Sequence, residues 1–174
     1  MSASTFKDSR DGKIYKTVKI GSLVWMAENL NFAAEGSVCY ENKDANGDKY
    51  GRLYDWDTAI KACPAGWRLP TDEEWTALVD YAGGEETAGA KLKSTAGWKD
   101  DGNGTDDFGF SALPGGYGFG DDFEDAGICG LWWRAMEGDA NHAWSRLMNH
   151  FSEYVGRNYS FKICLFSVRC VKDE

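Results

Sequence analysis

Residues 127–170 read GICGLWWRAMEGDANHAWSRLMNHFSEYVGRNYSFKICLFSVRC. Two kinds of position alternate along this stretch. One has the character of scaffold: Trp132, Trp133, Ala143, Trp144, Arg146, Met148, Val155, Arg157, Lys162 and then Phe166-Ser-Val-Arg-Cys170. The other mixes size, charge and polarity without order: Ile128, Cys129, Leu131, His142, Ser145, Leu147, His150, Phe151, Tyr154, Gly156, Tyr159, Ser160, Phe161, Ile163, Cys164 and Leu165. No clean period of two or of 3.6 runs through the second set, as a strand or helix burying one face would require. These side chains are therefore expected to be chosen for something other than the core.

Their chemical identity adds a second clue. Every member of the irregular set has a codon ending in C. That codon class lacks Lys, Glu, Gln, Met and Trp, and so does the set. The Asn codon AAC reaches the whole class when its two adenines are replaced at random. In this respect the stretch resembles the variable proteins of diversity-generating retroelements, which receive adenine-directed mutations in a C-terminal segment and display the results on a C-type-lectin-like fold. The resemblance implies an α+β, loop-rich C-type-lectin-like domain of the formylglycine-generating-enzyme type, with two main helices and short antiparallel sheets, spanning residues 1–174. It implies a variable ligand-binding region at about 128–165, with Ile128, Leu131, Arg134, His142, Ser145, Leu147, His150, Phe151, Tyr154, Tyr159, Ser160, Phe161, Ile163 and Leu165 as contacts. The ligand is then a protein or glycan on a host or partner cell, and no cofactor or metal is implied.

Composition narrows the alternatives. At 174 residues the chain suits one domain with a real core. Aromatic residues at 14% argue against disorder, and 21 Gly with 8 Trp point to a loop-rich fold held by large rings. A net charge of −9 without a basic block disfavours a nucleic-acid partner. No apolar run is long enough to span a membrane. The start lacks the apolar core of a signal peptide, so a virion surface, or an extracellular or cell surface reached after removal of a leader, is the expected location.

Five cysteines occur, at 39, 63, 129, 164 and 170, without CxxC or Cys/His metal spacing. The odd number leaves at least one thiol unpaired within a monomer. Lectin-like domains often tie the first helix region to the last strand, so the resemblance implies a Cys63–Cys170 disulfide, which a reducing cytosol would prevent.

Taken in order, the chain opens with a hairpin turning at Asp11-Gly12. Ile14, Lys16, Val18 and Ile20 are expected on one face, and Tyr15, Thr17 and Lys19 on the other. Leu23–Met26 reads as a buried strand. Residues 33–51 read as a solvated loop. Asp44, Asn46 and Asp48 alternate as the first EF-hand ligands do, but Lys49 stands where Gly is required and Asp55 where Glu is. Asp55 caps a helix from Trp56 to Ala62. Thr71-Asp-Glu-Glu74 is a capping box opening a helix to about Tyr81, with Trp75, Leu78 and Val79 on one face and Gly83-Gly84 as the stop. A third short helix is read over Glu86–Lys93.

The motif GWRLPTDEEW at 66–75 is similar to that of formylglycine-generating-enzyme-like lectin folds and of the Fibrobacter major paralogous domain. Residues 98–118, WKDDGNGTDDFGFSALPGGYG, resemble the latter too, where the aromatic-glycine segment is a buried turn. The cluster Asp100, Asp101, Asn103, Thr105, Asp106 and Asp107 reads as turn capping, with calcium ligation as the alternative. Residues 119–127 read as an acidic loop. A strand around Trp132-Trp133, a long variable stretch and a closing strand from Phe166 to Val171 complete the chain. The resemblance runs from Phe6 to Asp173, and it predicts neighbouring chain ends with the first and last strands paired.

Catalytic signatures are sparse. The enzymatic relatives oxidise a substrate Cys with two C-terminal cysteines. Here Cys164 and Cys170 differ in spacing, and the Arg/Tyr-rich motif that follows in those enzymes is missing. No nucleophile elbow, P-loop, HExxH or dinucleotide fingerprint appears. Helix capping accounts for Glu73 and Glu74, and His142 and His150 read as surface contacts. The EPN, QPD and WND triplets of calcium-dependent lectins are absent. A non-catalytic recognition domain is thus the first expectation, a calcium-dependent carbohydrate-binding or adhesion domain the second, and an oxidoreductase the third. Trp132, Trp144, Val155 and Val168 are expected to be buried. Leu147, Phe151, Tyr154, Tyr159 and Phe161 are expected on one exposed face.

Overall fold

The computed structural model describes residues 4–173. In chain order it contains β1 (Ser4–Lys7), β2 (Ile14–Ile20), β3 (Leu23–Met26), α1 (Asp44–Tyr50), β4 (Leu53–Tyr54), α2 (Trp56–Ala62), β5 (Trp67–Arg68), α3 (Asp72–Tyr81) and α4 (Ala88–Leu92). The second half is all strand: β6 (Gly115–Phe119), β7 (Asp122–Ala126), β8 (Cys129–Glu137), β9 (His142–Asn149), β10 (Val155–Phe161), β11 (Cys164–Ser167) and β12 (Val171–Lys172). The fold is α+β. One sheet has the order β1-β2-β3-β12-β5; the other runs β10-β9-β8-β11-β6-β7, with β4 paired to β11. No helix among the described residues is long and apolar enough to cross a membrane.

Local signals fix the helices. The Asp55 carboxylate accepts the Thr58 amide at 2.7 Å and starts α2. At α3 the Thr71 hydroxyl accepts the Glu74 amide at 3.3 Å, and the Glu74 carboxylate accepts the Thr71 amide at 2.8 Å. Arg68 also grips Glu74, so burial of that carboxylate is offset by the guanidinium and its acidity is increased. The α3 face Trp75, Leu78 and Val79 enters a core between the two sheets, against Trp25 of β3 and Trp132, Met148 and Val155 of β8–β10. Trp25, Trp75 and Phe110 meet edge-on, with centroids 5.3–5.7 Å apart, a geometry the ring quadrupoles favour. A second core gathers Met26, Tyr54, Trp67, Trp133, Phe166 and Val168 around α2.

The Phe-Ser-Val-Arg-Cys run supplies the polar centre. Arg169 is fully buried, and its guanidinium donates to Asn29 Oδ1 and to the Met26, Phe110 and Ser111 carbonyls. Trp132 Nε1 donates to the same Asn29 oxygen at 2.9 Å. Cys170 forms a disulfide with Cys63, at the end of α2, as the resemblance implied. The aromatic-glycine segment is buried at Phe110, Ala112, Gly115 and Gly116 but only half-buried at Phe108 and Tyr117, and its end forms β6 and not the expected turn. Gly116 has φ +65°, and a Cβ there would lie 2.4 Å from the Glu124 carbonyl, so only Gly fits.

Several expectations are corrected. Residues 33–51 are not all loop, because α1 and a single 3-10 turn, Tyr40–Asn42, lie within them. Residues 119–127 contain β7, which pairs with β6 as a hairpin. The long variable stretch is regular: β8, β9 and β10 form an antiparallel meander. In β2 the faces alternate as read, but Ile14 and Lys16 are exposed while Tyr15 and Thr17 are buried. The strand is covered on one face in its first half and on the other, through Val18 and Ile20, in its second. The closing strand is two short pieces, β11 and β12. The first and last strands share a sheet but do not pair, since β12 lies between β3 and β5.

Candidate functional site

On one face of the meander, Leu131 lies opposite Leu147 and Leu147 opposite Gly156; Ser145 faces Asn158, and Ala143 faces Ser160. From this row Leu131, Leu147, Asn158 and Ser160 line a concavity of about 410 Å³, closed on its far side by Tyr117, Cys164 and Phe166. Its floor is apolar: Cys129, Leu131 and Phe166 are buried, and Leu147 is half-buried. Burial, then the nearby Asp125, pushes the Cys129 thiol up to about 12, so it remains protonated. Burial likewise raises Cys164. Both are poor nucleophiles at neutral pH.

At the rim stands an aromatic ridge. His142 lies opposite Phe161 and Trp144 opposite Tyr159. The His142 ring stacks on Tyr159 at 4.8 Å and touches Phe161 at 4.4 Å, and Tyr159 meets Trp144 edge-on at 5.0 Å. Asp139, in the β8–β9 turn, organises the ridge. Its carboxylate accepts the Tyr159 hydroxyl at 2.7 Å, His142 Nδ1 at 2.9 Å, and the amides of Asn141 and His142. These donors, the Tyr159 hydroxyl foremost, hold the Asp139 carboxyl well below the usual carboxylate range, while the carboxylate raises the Tyr159 phenol. At neutral pH the pair is therefore ionised acid and protonated phenol. With Nδ1 engaged by Asp139, Nε2 is the ring nitrogen of His142 left for a ligand.

Beneath the ridge the meander is stapled to α3 by three arginines. Arg134 pairs with Asp72. Arg146 reaches Thr76 Oγ1 at 2.8 Å, Asp72 at 3.3 Å and Glu85 at 3.2 Å; Arg157 reaches Glu85 at 3.2 Å. Burial, then the neighbouring Arg146 and Arg157, pushes Arg134 down to about 9, which still leaves it cationic at neutral pH. The Trp144 ring lies 5.4 Å from that guanidinium.

Of the residues expected to meet ligand, Leu131, His142, Leu147, Tyr159, Ser160 and Phe161 line the concavity. The others are placed differently. Arg134 and Ser145 are buried, and Leu165 packs against Tyr40 and Leu53. Ile128 is half-buried, with its carbonyl accepting the His150 amide. Ile163 is exposed in the β10–β11 turn, and Tyr154 is exposed just before β10. His150 and Phe151 lie in the β9–β10 turn and border a separate recess of about 230 Å³ with Lys93 and Asn103. Phe151, 75% exposed, is thus apart from the ridge formed by Tyr159 and Phe161. Trp144, expected in the core, is only half-buried, because the ridge side of β9 extends past α3; Trp132, Val155 and Val168 are buried as expected.

Sequence reading missed Asp139, Tyr117, Asp125, Asn149, Asn158 and Phe166. Asn149 and Asn158 share the alternation of Leu147 and Ser160, and Asp139 precedes a turn before His142, so each carried a weak local signal. In the 98–118 segment, Asp106 accepts the Ser111 amide at 2.7 Å and the Ser111 hydroxyl at 2.5 Å, while Asn103 Oδ1 accepts the Trp98 amide at 3.0 Å. These are turn-capping contacts. Cys170 is bound to Cys63, so Cys164 has no disulfide partner in it and lines the concavity as a free thiol, as Cys129 does.

One stability prediction follows from this placement. Phe151→Ala and Phe161→Ala should each change unfolding free energy by less than about 0.5 kcal/mol, as exposed positions do. Trp144→Ala, losing a half-buried ring, should cost less than the roughly 3–5 kcal/mol of a core aromatic. Urea unfolding checks all three, and a loss of several kcal/mol at Phe161 would make the ridge part of the core.

No curated protein and no solved structure matches the chain. Residues 18–172, nearly the whole of it, match the family described as the Fibrobacter succinogenes major domain. The chain therefore belongs to the Fibrobacter succinogenes major domain family.

Proposed function

We propose that this is a non-catalytic recognition domain with a C-type-lectin-like scaffold, whose segment from about 128 to 165 is diversified by a retroelement and meets a protein or glycan on a host or partner cell. Display on a virion or cell surface goes with that reading. The observation that carries it is the concavity beside the aromatic ridge. Eight of the irregular positions, Cys129, Leu131, His142, Leu147, Tyr159, Ser160, Phe161 and Cys164, come together on its lining from the four successive strands β8–β11. Asn149 and Asn158 on the same lining are what an unaltered AAC codon supplies. The backbone beneath is fixed by side chains outside the irregular set: the Arg146 and Arg157 staples and the Trp132 anchor. Side chains of the lining can then change without loss of the fold. Exposed Tyr159 and Phe161 give contact area for few rotors, as in antibody paratopes.

The test is in the coding DNA. Deep sequencing of the locus across a population of the source cells is expected to find substitutions confined to the first two bases of the irregular codons, where a nearby template repeat carries adenines, with a reverse-transcriptase gene beside it. Variation spread evenly over codons 4–173, with no template repeat, would end the retroelement reading.

A further inference from the structure

Besides the two-residue β4 on β11, four strands end the two sheets: β1 and β5 in one, β10 and β7 in the other. Three of these edges resist pairing by being short or charged. β5 has two residues, β7 carries Asp122, Glu124 and Asp125, and β1 has four residues and ends on Lys7. β10, VGRNYSF, is longer and carries one charge, Arg157, whose side chain is drawn aside by Asp72 and Glu85.

Two hydrogen bonds fix which way the β10 backbone points. The Val155 amide donates to the Glu85 carbonyl at 2.8 Å, away from β9, and the Lys162 amide donates to the Asn141 carbonyl at 2.9 Å, on the β9 side. Alternation along an antiparallel strand then turns the amides and carbonyls of Arg157 and Tyr159 outward. None of these four groups has a hydrogen-bond partner among the described residues. Glu85 occupies the first place of a neighbouring strand that the chain itself does not continue.

We propose that the outer edge of β10, at Arg157 and Tyr159, binds an extended, basic segment of another polypeptide that adds to the sheet as a strand. The inference deepens the recognition reading, on which it rests, by naming a peptide as ligand at this edge. A row of amides and carbonyls at two-residue spacing is matched by another strand's backbone. Charge selects the sign of the occupant. Arg134, Arg146 and Arg157 share Asp72 and Glu85, Lys162 pairs with Glu137, and once Asp139 and Glu153 are added acids outnumber bases around the edge. Asp139 stands against Tyr159 and Glu153 lies just before Val155, so acid flanks both ends. A second copy would bring together two chains of net charge −9, which repel.

The experiment is amide hydrogen exchange by NMR on the labelled domain, with an acetylated, amidated Lys-Val-Lys-Val-Lys-Val peptide as probe. Saturating probe is expected to slow exchange at Arg157 and Tyr159 about tenfold or more, as paired amides are slowed. Arg157→Ala, which keeps the amide, should retain that protection at Tyr159. Arg157→Pro, which removes the amide without breaking the β9 ladder, should lose it while melting close to Arg157→Ala, which lacks the same side-chain staple. The proposal is overturned if the Lys-Val probe slows neither amide, or if an N-methylated probe or its Glu-Val counterpart works equally well. Slow exchange at both amides in the free domain, with a dimer in sedimentation, would assign the edge to a second copy instead. Probe-induced shifts of the Leu131 and Leu147 methyls without edge protection would place the peptide in the concavity, ending the edge proposal and leaving the recognition reading standing.

Discussion

Arg169→Met is expected to lower the unfolding free energy by about 3–5 kcal/mol, because several buried acceptors lose their donor at once. Met fills most of the volume but donates no hydrogen bond. The Met26, Phe110 and Ser111 carbonyls, now served by the guanidinium, would lose a donor, and each buried acceptor left unmet costs about 1–3 kcal/mol. Replacing a buried charge with an apolar residue is neutral only when its partners are replaced as well, and here they are backbone. Asn29 would keep its bond from Trp132 but lose two from Arg169. Arg169→Lys should be intermediate, because one ammonium cannot span acceptors set around a planar fork. For a domain of this size the Met variant should melt roughly 6–20 °C lower. A change under about 1 kcal/mol would mean that water already serves these carbonyls, and that the Phe-Ser-Val-Arg-Cys run is not the centre of the fold.

The parts of the fold that were legible in sequence are those fixed within one turn of chain. Thr71 and Glu74 satisfy each other's amides across three residues, so the start of α3 could be read directly. The start of α2 was equally plain, through Asp55 and Thr58. The meander was not legible, for a physical reason. Both faces of β9 are partly buried, one by the arginine staples and the α3 core, the other by the concavity floor. A strand buried on both faces has no polar-apolar alternation to detect. α1 was hidden for the opposite reason. DANGDKY has poor helix propensity, and Gly47 is needed because a Cβ there would meet Cys39 Sγ at 2.5 Å. β7 read as a loop because its acidic residues are those of a guarded edge. At the site, sequence found most of the lining but not its organiser: Asp139 acts through residues on both sides of a turn and across to β10, contacts that no linear period encodes.

Loss of the Cys63–Cys170 disulfide is the second large effect expected. The bond closes a loop with a sequence separation of 107 residues, for which loop-closure entropy gives about 4–5 kcal/mol and measured removals about 2–5 kcal/mol. The double variant Cys63→Ala/Cys170→Ala should lower the urea midpoint accordingly, and reductant should shift the parent protein by a similar amount. The effect bears on recognition as well as stability. Residues 168–170 carry the main-chain bonds from the Leu30 amide to Val168 and from the Met26 amide to Cys170, and they lie just after Phe166 and Cys164 of the concavity. Bond and guanidinium pin this same segment, so the losses at Cys170 and Arg169 should not add independently. Combining them consumes most of the roughly 5–15 kcal/mol available to a domain, and the triple variant is expected to be largely unfolded in buffer. If reductant leaves the urea midpoint unchanged, the disulfide is not formed in solution, and the closing segment is held by Arg169 and the β12 ladder alone.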